Sequence, residues 1–165
     1  MTSFRVFALL VVALSACAGR PRMIGNSKIE DTALSRGVVE TVEAYRTALE
    51  RQDTQALLLM ASKAYWEDSG TPSGSDDYGF EGLRAVLSER LSKVSEVRYS
   101  MRYVTMRSNC GNAPKQGCRA SVEVMIDASY TVVDALGNER RPDKRDQGEF
   151  LLEWNGNKWL FLAGM

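Results

Sequence analysis

The sequence contains no histidine, and this absence removes several classes of enzyme. A Ser-His-Asp triad, a Cys-His pair and a histidine general base all require an imidazole, and most catalytic zinc sites use one as a ligand. The chain also lacks a glycine-rich phosphate loop, internal repeats and low-complexity segments. Histidine-dependent chemistry and P-loop nucleotide binding are therefore excluded.

An excess of charge of either sign is absent as well. The 165 residues include 21 lysines and arginines against 21 aspartates and glutamates, scattered along the chain. A chain with such a balance lacks the concentrated positive charge that binds nucleic acid or anionic lipid headgroups. We expect one domain of ordinary size and no nucleic-acid partner.

Long hydrophobic runs are missing except near the N-terminus. Arg5 precedes an apolar run that ends in Leu14-Ser-Ala-Cys17. This run is too short to span a bilayer but has the length of a signal-peptide core. Its last four residues resemble the bacterial lipobox. The resemblance implies cleavage before Cys17, acylation of Cys17, and attachment to a membrane through two or more acyl chains.

The lipobox resemblance also predicts where the protein resides. Residues 1–16 form a lipoprotein signal peptide, and residues 17–33 comprise the lipidated cysteine and a flexible tether without a clean period. Ala18 follows the cysteine in place of the aspartate associated with inner-membrane retention. We therefore expect a lipid-anchored envelope protein, on the periplasmic face of the outer membrane rather than on the inner membrane.

Cysteine is scarce, and its spacing favours a structural role. After Cys17, Cys110 and Cys118 remain, and they flank a turn-rich loop between two strand-like runs. In an oxidising compartment this pair predicts a disulfide at a hairpin tip, worth about 2–3 kcal/mol by loop entropy. The spacing is not C-x-x-C, so we predict neither a redox site nor a metal site.

Hydrophobic periodicity divides the rest of the chain into helices followed by strands. A period near 3.6 predicts helices over 34–51, 54–62 and 80–94, with Asp53 as an N-cap. A period of two predicts strands over 97–103, 120–132, 149–154 and 158–163, with a long turn over 134–146. The fold class is therefore α+β, with three N-terminal helices packed in a curved, mainly four-stranded antiparallel sheet.

Residues 44–68, 80–87 and 155–159 resemble elements of the NTF2-like superfamily. The first stretch runs from a helix through a polar-Asp turn and a short helix to an aromatic strand ending in Glu67-Asp68. The resemblance covers 34–165 and implies a cone with a pocket between helices and sheet. The superfamily includes ketosteroid isomerase, scytalone dehydratase and cyclases, but also many non-catalytic carriers and assembly modules, so the fold does not choose a function.

The isomerase comparison assigns roles to two residues. Tyr45 matches the helix-1 tyrosine that donates a hydrogen bond to an oxyanion, and Asp68 matches the aspartate that moves the proton. The second oxyanion donor has no counterpart, since its position falls near Phe150. Alternatively, Tyr45 is a core tyrosine and Asp68 an Asx-turn residue.

Other candidates concern the pocket and the surface. Large aromatic residues predicted to lie in the core or to line the pocket are Trp66, Tyr99, Tyr103, Phe150 and Trp154. Glu123 and Asp127 share the polar face of one strand, which predicts a solvated outer face or a homodimer surface rather than a catalytic pair.

Three functions remain open from the sequence. We favour a non-catalytic domain that binds an apolar small molecule or a protein partner, without a cofactor. The alternatives are a proton-transfer enzyme (isomerase, dehydratase or cyclase) that uses Asp68 and Tyr45, and a structural module of an envelope assembly.

Overall fold

The computed structural model describes residues 21–69 and 71–165. The hydrophobic run and Cys17 lie outside these residues, so the signal peptide and the lipid anchor stay predictions. Among the described residues, no helix combines the length and the hydrophobicity needed to cross a membrane.

The described residues form three helices and seven strands, which agrees with the predicted order. The elements are α1 (Ala33–Glu50), α2 (Thr54–Met60), β1 (Trp66–Glu67), β2 (Tyr78–Gly79), α3 (Phe80–Ser92), β3 (Ser95–Ser108), β4 (Arg119–Val133), β5 (Glu139–Arg140), β6 (Asp143–Trp154) and β7 (Trp159–Ala163).

Helix α1 begins where its side chains cap its first turn. The Thr32 hydroxyl accepts a hydrogen bond from the Ser35 N–H, and the Ser35 hydroxyl accepts one from the Thr32 N–H, which together form a capping box. The buried face of α1 then recurs at helical spacing through Val38, Val42 and Tyr45. Asp53 caps α2 through the Ala56 N–H, as predicted.

The main sheet is an antiparallel meander. Its order is β3-β4-β6-β7, and the short β5 pairs with the end of β4, while β1 and β2 form a separate two-stranded ribbon. The sheet curves around the helices, and the core lies between them. The predicted α+β class with a mainly four-stranded antiparallel sheet is confirmed.

Strand β6 starts earlier than the sequence pattern indicates. The prediction of a continuous turn over 134–146 is wrong from residue 139 onward, because β5 occupies Glu139–Arg140 and β6 begins at Asp143. The first half of β6 could not be predicted from the sequence, because its residues are mostly charged and exposed and show no apolar alternation. Pairing with β4 supports it instead, and Arg145 Nε lies 2.8 Å from Asp127 Oδ1 across the two strands.

The described part of the segment before α1, residues 21–32, packs against the domain, in contrast to the flexible tether expected there. Met23 and Glu30 form an isolated antiparallel bridge, and the Lys28 N–H donates to the Val104 carbonyl at 2.8 Å. Ile29 is only 2% exposed and belongs to the core. The segment therefore covers part of the β3 edge, which would otherwise expose unpaired backbone groups.

The predicted disulfide is confirmed. Cys110 and Cys118 are bonded, with their Cα atoms 5.1 Å apart, at the tip of the hairpin between β3 and β4. The backbone N–H of Trp154 donates to the Cys118 carbonyl at 2.9 Å. The disulfide therefore closes the loop beside the end of β6.

Candidate functional site

Strand alternation creates two different environments along the inner face of the sheet. On β4, Val122 and Val124 are completely buried beneath the helices. Ile126 and Ala128 continue on the same face but are only partly buried. On the neighbouring β3, Tyr99 pairs with Ala128 and shares its face. The cone is thus filled at one end and open at the other.

A cavity of about 430 Å³ occupies the open end. Its walls are mostly apolar and come from α1, α3, the turn after α3, β3 and β4: Leu49, Leu91, Val94, Val97, Tyr99, Ile126, Ala128 and Tyr130. Charged side chains reach it from α3, the turn after it, and β6: Arg90, Lys93, Lys144 and Asp146. An apolar recess with a few polar groups at its edge is the usual form of a small-molecule site.

A larger cavity of about 1020 Å³ follows the β3 side of the sheet, but its chemistry differs. Most of its lining residues are charged, and five of them are paired with one another. Arg46 contacts Glu43 at 2.7 Å and Glu50 at 2.6 Å, and Arg145 contacts Asp127. We therefore regard the smaller apolar cavity as the better candidate site, since the charged groove offers little surface that a ligand would desolvate favourably.

Tyr45 is enclosed at the filled end of the cone. Its side chain is 5% exposed, and its ring centroid lies 5.3 Å from that of Phe150 and 5.4 Å from that of Phe161. Burial, with a further contribution from Tyr99, raises the pKa of the Tyr45 phenol far above its ordinary value. Tyr45 thus behaves as the core tyrosine that was the alternative to an oxyanion donor.

Asp68 lies outside the cone, and its neighbour Glu67 points inward. Asp68 is exposed, because successive side chains of an extended segment alternate between faces. Glu67 Oε2 accepts a hydrogen bond from the Tyr65 hydroxyl at 2.5 Å and one from the Gly164 N–H at 2.8 Å. Asp68 and Tyr45 therefore do not share a cavity, and the inward carboxylate is already engaged by protein donors.

Of the five aromatic residues predicted as core or pocket-lining, Tyr99 lines the apolar cavity. Trp66 is 56% exposed, so its prediction as a core or pocket residue is wrong. Phe150 fills the core, and Trp154 packs on Trp159 with ring centroids 5.5 Å apart. Tyr103 donates its hydroxyl proton to Glu43 at 2.7 Å and lines a separate recess beside the N-terminal segment. Alternation alone did not show where the helices cover the sheet.

Several cavity residues were missed as site residues. Ile126, Ala128 and Tyr130 continue the β4 alternation, and Leu91 and Val94 continue the apolar stripe of the helix predicted over 80–94, and such patterns by themselves indicate core positions. Arg90 carried no signal, since it lies between stripe positions on a helix. The sequence feature that could have indicated the site is the length of the apolar alternation in β4, which continues beyond the part of the strand that the helices cover.

The outer face of the sheet is polar, as predicted for Glu123 and Asp127. Asp127 pairs with Arg145, and the Gln147 amide donates to Glu123. Glu149, on the same face of β6, lies 3.2 Å from Arg107. Within the described ranges, no three histidine, cysteine, aspartate or glutamate side chains are placed to share a metal ion.

Comparisons in sequence find nothing similar, whereas comparisons in structure do. No protein-family model matches the chain, and no curated protein matches it. A ketosteroid isomerase-like protein from Erwinia carotovora atroseptica superposes with a TM-score of 0.56 at 19% identity, over 78% of this chain and 91% of the other. A dehydratase-like member of the NTF2-like family from Streptomyces avermitilis gives a TM-score of 0.59 at 10% identity, over 79% and 92%.

A conserved protein from Planctomyces limnophilus is also similar, with a TM-score of 0.62 at 13% identity, over 80% of this chain and 93% of the other. At these identities the likeness concerns the fold, and it agrees with the resemblance found in residues 44–68, 80–87 and 155–159. Together, the element order, the curved meander and these neighbours show that the chain has the NTF2-like α+β cone fold.

Proposed function

We propose that this chain is a lipid-anchored protein of the bacterial cell envelope whose cavity binds an apolar small molecule without transforming it. The observation that carries the proposal is the 430 Å³ recess walled by aliphatic and aromatic side chains at the open end of the cone. Burying such walls against an apolar ligand is favourable, at about 25 cal/mol per Å² of apolar surface. The volume suits a molecule of drug-like size.

The placement of the isomerase-like pair supports a binding role over proton transfer. A general base must reach its substrate proton within hydrogen-bonding distance, directly or through one water. Asp68 is exposed outside the cone, and Tyr45 is enclosed by Phe150 and Phe161. Neither residue lines the apolar cavity.

A protein partner or an assembly role receives less support. Such surfaces commonly present a contiguous apolar patch. The described outer face of the sheet instead carries ion pairs such as Asp127–Arg145 and Glu149–Arg107.

The anchor rests on the lipobox and is tested by acyl labelling. Cells that produce wild-type protein are grown with a labelled palmitate analogue, beside cells that produce Cys17→Ser. We expect label in the wild type and none in the variant. Equal labelling of both proteins would contradict the anchor and the envelope location that depends on it.

Binding is tested by filling the cavity. Ala128→Phe adds a ring inside the recess, whereas Ser100→Phe adds the same ring to the opposite face of the neighbouring strand. The full-length chains are held in phosphatidylcholine nanodiscs and titrated with 2-naphthalenemethanol by calorimetry. We expect Ala128→Phe to weaken binding at least tenfold and Ser100→Phe to leave it unchanged. Indistinguishable titrations of wild type and Ala128→Phe would refute the cavity as the site.

A further inference from the structure

We propose, on the basis of the apolar cavity being a binding site, that its ligand carries one anionic group and that Arg90 receives it. Arg90 lies at the edge of the cavity on the last turn of α3. The ligand class is then an apolar body with a carboxylate, sulfonate or phosphate at one end.

Arg90 differs from the other cations at the cavity because it forms no ion pair among the described residues. Lys93 lies 2.6 Å from Glu89, and Lys144 lies 3.2 Å from Asp146. Among the ion pairs of the described residues, none includes Arg90. Its guanidinium interacts instead with the hydroxyl of Tyr78, a neutral group. The cavity edge therefore carries one uncompensated positive charge.

The same turn of helix supplies both the cation and part of the apolar wall. Leu91 belongs to the last turn of α3 with Arg90, and Val94 lies two residues beyond the end of the helix; both line the cavity together with Arg90. A ligand whose body packs on Leu91, Val94 and Ala128 would bring its end within the reach of the guanidinium. Arginine suits this role because its planar fork donates two parallel hydrogen bonds to a carboxylate or phosphate.

Tyr99 adds a neutral donor to the same cavity. Burial, assisted by the carboxylate of Asp146, raises the pKa of Tyr99 to about 12. The phenol therefore stays protonated at neutral pH and does not repel an anion. Among the described residues that line the cavity, Asp146 is the one carboxylate, and its hydrogen bond with Lys144 balances its charge.

The experiment compares two probes that differ in charge and little in shape. Calorimetry of the full-length chain in phosphatidylcholine nanodiscs measures binding of 2-naphthoate and of 2-naphthalenemethanol to wild type, Arg90→Gln and Arg84→Gln. Arg84 is the matched control, since it is exposed on the same helix, does not line the cavity, and forms no ion pair among the described residues.

We expect the wild type to bind naphthoate at least tenfold more tightly than the alcohol, because a hydrogen bond between charged groups is roughly twice as strong as a neutral one. Arg90→Gln should abolish this preference and leave the affinity for the alcohol unchanged, whereas Arg84→Gln should preserve both. Equal affinities of the two probes for wild type, or equal losses in the two variants, would overturn the role of Arg90. Failure of both probes to bind would refute the cavity itself as well.

Two further measurements complete the test. If Arg90→Gln does not fold, the preference of wild type for naphthoate must still decline as salt rises, and a salt-independent preference would overturn the proposal. Competition then separates possible sources of the ligand. Displacement of naphthoate by octanoate alone supports a free carboxylate, and displacement also by dihexanoyl phosphatidylglycerol below its micellar concentration supports a lipid headgroup.

Discussion

Gly164, directly after the last strand, has a backbone conformation that other residues would not tolerate. Its φ is +93°, and a Cβ built there would lie 2.4 Å from the Glu149 carbonyl oxygen. Both the left-handed backbone and this approach favour glycine. The close fit places the Gly164 N–H 2.8 Å from Glu67 Oε2, to which it donates a hydrogen bond.

Gly164→Ala should therefore destabilise the protein by about 3 kcal/mol or more, since strain and steric overlap add. Gly137 is the matched control, because its φ is +83° but a Cβ there would meet no atom within 4 Å. Gly137→Ala should cost only about 1 kcal/mol. Urea unfolding followed by circular dichroism measures both, and equal losses would show that the overlap with Glu149 is relieved without cost.

Glu67 is the carboxylate on which the second residue-scale prediction depends. Glu67→Gln should lower the free energy of unfolding by about 1–3 kcal/mol, because the Tyr65 hydroxyl and the Gly164 N–H lose a charged acceptor. Asp68→Asn should cost less, since Asp68 is exposed. Urea unfolding of both variants decides the matter. A larger loss for Asp68→Asn would contradict the inward orientation of Glu67.

At the scale of elements, the segment before α1 behaves as part of the domain. Ile29 is 2% exposed, so Ile29→Ala should destabilise the protein by about 2–4 kcal/mol through loss of buried surface and formation of a cavity. Met23→Ala, at a side chain 44% exposed, should cost under about 0.5 kcal/mol. Thermal or urea unfolding compares them. Two equally small effects would support a flexible tether over the described part of the segment, residues 21–32.

Helices and central strands were predictable from local pattern. The Val38, Val42 and Tyr45 stripe and the alternation of β4 each have a period that a single element imposes. The first half of β6 was not predictable, because its charged residues are held by pairing with β4. The burial of Ile29 was likewise not predictable, because a single buried residue in a short segment produces no hydrophobic periodicity.

At the scale of the whole molecule, burial of phenols links stability to pH. The pKa of each of five tyrosines is raised primarily by burial: Tyr45, Tyr65, Tyr78, Tyr99 and Tyr103. In the unfolded chain a phenol titrates near 10, so the native state binds more protons above that pH. The contribution of these phenols to the free energy of unfolding should then be fully present below pH 10. It should decline as pH rises toward the folded pKa of Tyr99, about 12.

Urea unfolding across pH 9 to 12 measures this decline, and Tyr99→Phe identifies one contribution to it. The variant should lose stability less steeply over the window, because it has no phenol to titrate at that position. A wild-type free energy of unfolding that stays constant from pH 9 to 12 would contradict the raised phenol pKa values.

The distribution of packing over the cone explains why a cavity exists at all. Tyr45, Phe150 and Phe161 fill one end, with ring centroids between 5.3 and 5.6 Å apart. At the other end, Ile126 and Ala128 lie beyond the cover of the helices and remain partly accessible. The strands are longer than the helices can cover, and the uncovered apolar surface becomes the candidate site.

The sequence by itself determined the helices, the main strands, the disulfide and the α+β class, because spacing and alternation are properties of short stretches of chain. It also predicts the lipobox cysteine, which awaits experiment. Only the tertiary structure decided that Glu67 rather than Asp68 faces inward, that Tyr45 is enclosed, and that Arg90 lines the same cavity as the apolar residues of β4. The physical reason is that side-chain environment depends on which elements pack together, and residues distant in the chain carry no shared local pattern that records their contact.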